Sequence, residues 1–420
     1  MIDFIPLEYY YDIYINISLF LVMANMLHAY TVDLNSQKNL NFLNVAGYFI
    51  LFFLILYIGL RPVSGRYFVD MAIYNIQFNN YSFGAKVTTT KDIYFEYFMK
   101  FLSNFMTSHG FFLLMSFLYI FPLYLISKKY FKQYWFYSFL ILIVSFSFYS
   151  YGTNGIRNGV ATSLFILGLC FPKNKIKISI YFILAVLIHK SMMLPIAAYA
   201  LTSVYNNPRT YIKAWVLSIP VSLAMGSVFI SIFSSLGFDS RLAGYISGQG
   251  ELDDVIQVGF RWDFIFYSFF GVFAGWYFIV KKGFHDTLYF KILNMYLICN
   301  SFWILVIRAN FSNRFAYLSW FIMGFIIIYP LLKQQFFKNQ QLIIAKVIFA
   351  YFMFTYLMNV IYYGIIKPYQ EKQKMQDPHN IAYNLIATES NLYLDSDYLG
   401  LKIPPNIFPN YSKNLEIKIT

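Results

Sequence analysis

The sequence predicts an all-α, polytopic transmembrane helical bundle of about 11–12 spans, with a helical outer loop after the second span. Three observations predict it. Hydrophobic residues make up 59% of the 420-residue chain and charged residues only 12%, against roughly 25% charge in a soluble domain, so the chain cannot cover a water-facing surface. Apolar runs recur at lengths close to the about 20 helical residues that cross a hydrocarbon core. Many lysines sit in short loops between those runs, as the positive-inside rule expects. The net charge of +13 is therefore a topology signal, and nucleic acid is not expected as a partner. Cys170 and Cys299, the two cysteines, both lie in apolar segments, which indicates neither a disulfide framework nor a zinc site.

The expected spans are approximately 9–28, 43–60, 111–127, 134–150, 155–171, 177–190, 191–205, 212–236, 263–280, 289–307, 314–332 and 342–364. The N-terminus lacks a basic region, a short apolar core and a small-residue cleavage site, so its first apolar run reads as a retained span. Orientation comes from basic turns: Lys128, Lys129 and Lys132; Lys173, Lys175 and Lys177; Arg209 with Lys213; Lys281 with Lys282; and Lys333 with Lys338. These share a cytoplasmic side only if 177–205 crosses twice, as two short helices turning near His189 and Lys190. Half-length helices are tolerated where they line a protein cavity. The domain reading is a transmembrane unit over 1–366, with outer loops at about 61–110 and 237–262, and a polar C-terminal tail over 367–420.

That orientation leaves a second set of charges on the outer side: Arg61, Arg66, Asp70, Glu96, Arg157, His189, Lys190, Arg241, Glu251, Asp253, Asp254, Arg261, Arg308 and Arg314. Every arginine except Arg209 falls there, whereas the cytoplasmic cations are mostly lysine. A lysine is a hydrated point charge; the planar guanidinium suits bidentate capture of phosphate or carboxylate. Arginines placed against the positive-inside bias point to an outward-facing anion site, with headgroup contact or ion pairing to loop carboxylates as the plainer alternative.

Three segments carry the chemistry. In the run Gly59 to Tyr74, a helix from Gly65 puts Arg66, Asp70 and Tyr74 at four-residue steps on one face. Asp70 is then a candidate general base or holder of an acceptor hydroxyl, or half of a simple helical ion pair. In Tyr149 to Ala161, glycines 152, 155 and 159 surround Arg157 at a helix start, where free amides and the dipole favour an anion and glycine permits close backbone approach. The plain alternative is an interfacial arginine. In Leu187 to Pro195, His189 sits beside Lys190 and Ser191 at a predicted turn, and an ionisable group within membrane spans is a functional candidate. No Gly-rich phosphate loop, metal-ligand cluster or nucleophile elbow occurs.

Taken in order, the block "GLRxxxGRYxxDxxIY" after the second span, then "NGIRNGVATSLFILGL", then "LIHKSMMLP" resembles the EpsG-type branch of the Wzy-like O-antigen and exopolysaccharide polymerases, over roughly residues 1–365. Arg61, Gly65, Asp70 and Tyr74 match the first family block, Arg157, Gly159 and Ala161 the second, His189 and Ser191 the third. Arg66 to Val69 separate the loop glycine from Asp70, and Asn158 stands where the family commonly has Gln. The resemblance implies polymerisation of undecaprenyl-pyrophosphate-linked oligosaccharide repeats at the outer face of the bacterial inner membrane, by glycosyl transfer with lipid pyrophosphate as leaving group. Arg157 with Arg308 or Arg314, and Arg241, would capture the pyrophosphate. Asp70 or His189 would be the base, with Glu96 in reserve; Arg61, Arg66, Tyr74 and Lys190 would complete substrate binding. No cofactor or metal is required if arginines neutralise the pyrophosphate. Membrane lipids and a chain-length regulator protein are the implied partners.

Rival readings are a lipid-linked oligosaccharide flippase, a membrane acyltransferase acting on exported polysaccharide, and a lipid-phosphate-sugar glycosyltransferase. A flippase predicts charges along a central path and internal repeats, whereas the charges here gather at the outer rim. An acyltransferase needs an inner or core histidine with an arginine partner; His28 and His285 are the candidates and neither has one in the sequence. The glycosyltransferase would rest on Asp70 and Glu96.

Overall fold

The computed structural model describes residues 4–32, 36–68, 70–88, 92–235, 260–308 and 312–361, and among them the regular structure is entirely helical. The helices are α1 (Tyr10–Thr31), α2 (Gln37–Gly59), α3 (Gly65–Phe68), α4 (Asp70–Ser82), α5 (Ile93–Ser103), α6 (Ser108–Phe131), α7 (Trp135–Ile143) and α8 (Phe148–Thr153). They continue with α9 (Ile156–Leu169), α10 (Lys175–Ile188), α11 (Met193–Val204), α12 (Pro208–Ser235), α13 (Trp262–Trp276), α14 (Thr287–Leu305), α15 (Asn313–Lys333) and α16 (Gln340–Met358). Seven helical stretches among the described residues are long and apolar enough to cross a membrane. The polytopic all-α bundle is therefore as the composition predicts, and the short pair α10–α11 turns at His189. The expected boundary at residue 366 and the tail beyond it lie outside the described residues.

One expected span takes a different form. The run 134–150, expected as one span, breaks between α7 and α8 in the bundle interior. Neighbouring side chains satisfy the backbone there. The Tyr14 hydroxyl donates to the Ile143 carbonyl at 2.6 Å, Thr355 to the Val144 carbonyl at 3.3 Å, and the Phe146 amide donates to the Tyr267 hydroxyl at 3.1 Å. Irregular backbone is tolerated in a membrane only when protein supplies such partners. The expected helix from Gly65 is helical over Gly65–Phe68 (α3) and Asp70–Ser82 (α4), and α12 bends at Met225 (φ −131°, ψ 17°), past its internal Pro220.

Close packing uses small and polar residues, as it must where lipid is as apolar as leucine. An added Cβ at Gly59 would lie 2.8 Å from the Leu113 side chain and 2.9 Å from its Cα, so α2 packs directly onto α6 there. Asn300 on α14 donates to Ser268 on α13 (3.0 Å) and Ser319 on α15 (2.9 Å) and accepts from Trp215 on α12 (2.7 Å), tying four helices around one buried amide.

The cations divide between the ends of the bundle. Lys333 lies over Tyr130 and Tyr329, Lys128 over Trp135, Lys282 over Phe337 and Lys177 over Phe171. Tyr130 donates to the Leu169 carbonyl at 2.5 Å, and Asn206 to that of Thr287 at 3.4 Å. The five basic turns therefore lie at one end. The first turns of α9 and α15, with Arg157 and Arg314, lie at the other.

Candidate functional site

The site grows from Arg157, the second residue of α9. Its Nε donates to the Tyr74 hydroxyl at 2.8 Å and its Nη1 pairs with Asp92 Oδ2 at 3.2 Å. The guanidinium carbon lies 5.4 Å from the Tyr74 ring centre and 5.7 Å from that of Phe95, so two aromatic faces and two oxygens orient the fork. The side chain keeps 24% exposure, and its Nη2 makes no hydrogen bond among the described residues. A guanidinium carries five N–H donors; those not aimed at Tyr74 and Asp92 remain for an incoming anion. Burial, opposed by Arg157, pushes the Tyr74 phenol up to about 12, so it stays protonated at neutral pH while accepting from Arg157.

Asp92 went unnoticed in the sequence. It occupies the N-cap position of α5 with φ +47° and ψ +41°, yet its side chain does not cap that helix. One oxygen takes Arg157 and the other accepts the Lys190 amide at 3.5 Å. Asp is among the few non-glycine residues that visit this left-handed region readily. An acid immediately before the amphipathic α5 was the available signal, but its partners lie 65 and 98 residues away, beyond any local pattern.

His189 and Ser191 form the third side. The Ser191 amide donates to His189 Nδ1 at 3.2 Å, and the Ser191 hydroxyl lies 2.6 Å from the same nitrogen and 3.3 Å from Asn158 Oδ1. A backbone N–H can only donate, so Nδ1 is the acceptor and the neutral ring carries its proton on Nε2. This assignment makes His189 a hydrogen-bond donor at Nε2 and leaves its basic nitrogen occupied. The His-x-Ser spacing thereby acquires a geometric reason: imidazole and hydroxyl cap the turn between α10 and α11 and hold it to α9.

Asp70 is half-buried at the start of α4. Its amide donates to Asn154 Oδ1 at 3.1 Å, which ties α4 to the loop before α9. Its carboxylate has no hydrogen bond or ion pair among the described residues. The Arg66 side chain lies outside them, so the expected Arg66–Asp70 step is not described. Glu96 is 3% exposed and accepts the Tyr81 hydroxyl at 2.8 Å; burial and that carboxylate raise the Tyr81 phenol.

Arg61 sits behind this group, 1% exposed. It donates to the Thr153 carbonyl at 2.7 Å and to the Ile58 carbonyl, and lies over Phe68 and Phe112. Burial pulls its guanidinium down to about 10, which leaves it protonated at neutral pH. It clasps the end of α2 to the end of α8. The glycines around Arg157 also differ from expectation. An added Cβ at Gly159 would stand 2.6 Å from the Tyr151 carbonyl oxygen, and one at Gly152 3.1 Å from Ile58. Both serve helix packing, not the approach of a ligand to the backbone.

The other arginines are placed elsewhere. Arg308 lies over Phe260, 5.9 Å from its ring centre, with its Cδ beside Gly226. Arg314 is exposed on the first turn of α15. Arg261 is closed by Asp263 at 3.0 and 2.6 Å, the plain ion-pair alternative. Arg241, Glu251, Asp253 and Asp254 lie outside the described residues. The structure thus joins Tyr74, Asp92, Arg157 and the Lys190 backbone, with Asn158, His189 and Ser191 beside them.

The order of the three blocks is the order along the chain of the elements that meet here. The sequence model of the EpsG family matches residues 44–371. The chain belongs to the EpsG family. The match starts later and ends slightly further on than the resemblance in the motifs, and it includes every residue of the site. No curated protein matches the chain, and no solved structure does. Membership supports a polysaccharide-polymerase-type role in the membrane.

Proposed function

We propose that this EpsG-family protein polymerises oligosaccharide repeats carried on undecaprenyl pyrophosphate, at the outer face of the bacterial inner membrane. The observation that carries the proposal is Arg157, oriented by Tyr74 and Asp92 with donors to spare. In the reaction, an acceptor hydroxyl on one lipid-linked repeat attacks the anomeric carbon that joins the growing chain to its carrier. The new glycosidic C–O bond forms as the sugar–pyrophosphate C–O bond breaks. The electron pair leaves with the pyrophosphate, and the hydroxyl proton passes to a base.

Arg157 is assigned the leaving pyrophosphate, since donors aimed at developing charge in a partly buried site are the largest contribution expected for such a step. Lys190 is assigned to the same anion. Arg308, Arg314 and Arg241 are kept as contacts for substrate approaching from the other outer loops. Asp70 is the favoured base: its carboxylate is half-buried and uncommitted among the described residues, whereas Glu96 already holds Tyr81 and His189 presents a donor. Arg61 has a holding role in this reading. An apolar cleft of about 180 Å³ between α1 and α2, lined by Tyr14, Leu21, Phe49, Phe53 and Tyr57, supports a route for the isoprenoid. Its Tyr57 end lies one helical turn before Arg61. Membrane lipids surround the bundle, and a chain-length regulator is the expected protein partner.

Deletion of the gene in its native host, with surface and lipid-linked glycans resolved by gel and mass spectrometry, tests the reading. Loss of long chains with single repeats still reaching the exterior is the expected outcome. Repeats trapped on the cytoplasmic side would replace it with a flippase, and full-length chains lacking an acyl group with an acyltransferase.

A further inference from the structure

We propose that the lysine-bearing end of the bundle holds a second anion site, which takes the phosphate of an acidic phospholipid headgroup. The site is a cavity of about 570 Å³ between α7, the end of α1 and the α15–α16 connection. Lys333 and Lys338 line it together with Tyr30, Tyr134 and Tyr137, and among the described residues no carboxylate does. Lys346 adds a third cation behind Tyr30, 5.8 Å from its ring centre. The charged neighbours of Lys333 are Lys132 and Asp286, and Asp286 also accepts the Tyr329 hydroxyl at 3.2 Å. Among the described residues the local balance is positive.

An independent observation points into the cavity. Tyr137 is 1% exposed, lines the space, and its buried hydroxyl has no hydrogen-bond partner among the described residues. Leaving a buried hydroxyl unpaired is unfavourable, and a ligand oxygen in the cavity would relieve it. The wall is preformed. Gln340 Oε1 accepts the amides of Phe336 and Phe337, and its Nε2 donates to the carbonyls of Leu331 and Gln334, so the loop carrying Lys338 is held from both sides.

A phosphate group matches two ammonium donors and a phenol donor, because it offers several strong acceptor oxygens at fixed spacing. The cavity sits at the rim of the bundle, at the ends of the spanning helices α1 and α15. A phosphate tethered to acyl chains reaches that depth, and apolar residues such as Leu331 and Ile344 border the polar lining. Basic pockets of this kind between spanning helices suit acidic headgroups.

The experiment uses the full-length protein purified in a mild detergent. Retained lipid is counted by native mass spectrometry after titration with phosphatidylglycerol, with phosphatidylcholine, or with inorganic phosphate. The expected result is one retained phosphatidylglycerol, retention about fivefold weaker or more in the Lys333→Gln/Lys338→Gln double variant, and about threefold weaker in Tyr137→Phe. Tyr137→Phe preserves ring packing, so it separates the hydroxyl's role from loss of fold. Equal protection by inorganic phosphate and phosphatidylglycerol would keep the anion site and overturn the lipid as its source. Retention of phosphatidylcholine to the same degree, or of phosphatidylglycerol unchanged in both variants, would overturn the site itself.

Discussion

The two ends of the bundle handle positive charge in opposite ways. At one end, Arg157 and Arg61 are fixed by named oxygens, Asp92 and Tyr74 for the first and the Thr153 and Ile58 carbonyls for the second. At the other, lysines such as Lys282 and Lys128 rest over aromatic rings at 4.8–5.9 Å, and their carbon stems leave the ammonium free to seek water. A guanidinium bound at several points defines a direction for a ligand; an ammonium on a mobile stem defines only a side of the membrane. The comparison also separates the two arginines. Arg157 keeps spare donors and some exposure, whereas Arg61 is enclosed and bonded to backbone.

The largest expected effect is on Arg157. Arg157→Ala should cut polymer formation by about 100-fold or more, the scale of removing one oriented donor from a developing anion, with protein level unchanged on immunoblots. Unaltered chain length in the glycan ladder would count decisively against its assignment. Arg61→Ala should act through stability instead. It leaves two carbonyls without their donor in the interior, a loss of about 2–3 kcal/mol, visible as a lower melting temperature and poorer yield from membranes. If Arg61→Ala protein is as stable as wild type but inactive, Arg61 belongs to the site and the contrast between the two arginines fails.

Asp92→Asn comes next. Asparagine tolerates the left-handed backbone and can still accept from the Lys190 amide, so the substitution isolates the charge that orients Arg157. About a tenfold fall in polymerisation rate is expected, since a hydrogen bond to a charged group is worth about 1.5–3 kcal/mol. An effect on stability with none on rate would reduce Asp92 to a structural partner. Tyr74→Phe, which removes one acceptor and keeps the ring under the guanidinium, should cost less, about threefold to tenfold in the same assay. Smallest of all is Lys282→Gln at the opposite end. An exposed cation is worth about 0.5 kcal/mol or less, so the melting temperature should hold, and a clear drop would mean that the lysine end is built as tightly as the arginine end.

Much of the site was legible because its residues are chemically conspicuous in an apolar sequence. Arg157, His189 and Asp70 stand out in any hydropathy reading, and their order matched the family blocks. Asp92 did not stand out, because an acid before an amphipathic helix already has an ordinary explanation. Gly159 misled for the same reason in reverse: glycine beside an arginine suggests anion binding, and only the position of the Tyr151 carbonyl shows that the space is needed for packing. The break between α7 and α8 was hidden because hydropathy records that residues are apolar, not whether Tyr14, Tyr267 and Thr355 stand ready to receive freed backbone groups.

The sequence by itself determined that the chain is an α-helical membrane bundle, where most of its helices run, and which basic turns go together. Those properties follow from short-range physics: apolar helices of sufficient length partition into lipid, and lysines mark the ends. Only the tertiary structure decided which arginine is bonded to backbone and which keeps donors to spare, that Asp92 faces Arg157 across 65 residues, and which nitrogen of His189 is occupied. Each of these depends on what a side chain meets from a distant part of the chain, and residue type alone does not encode that meeting.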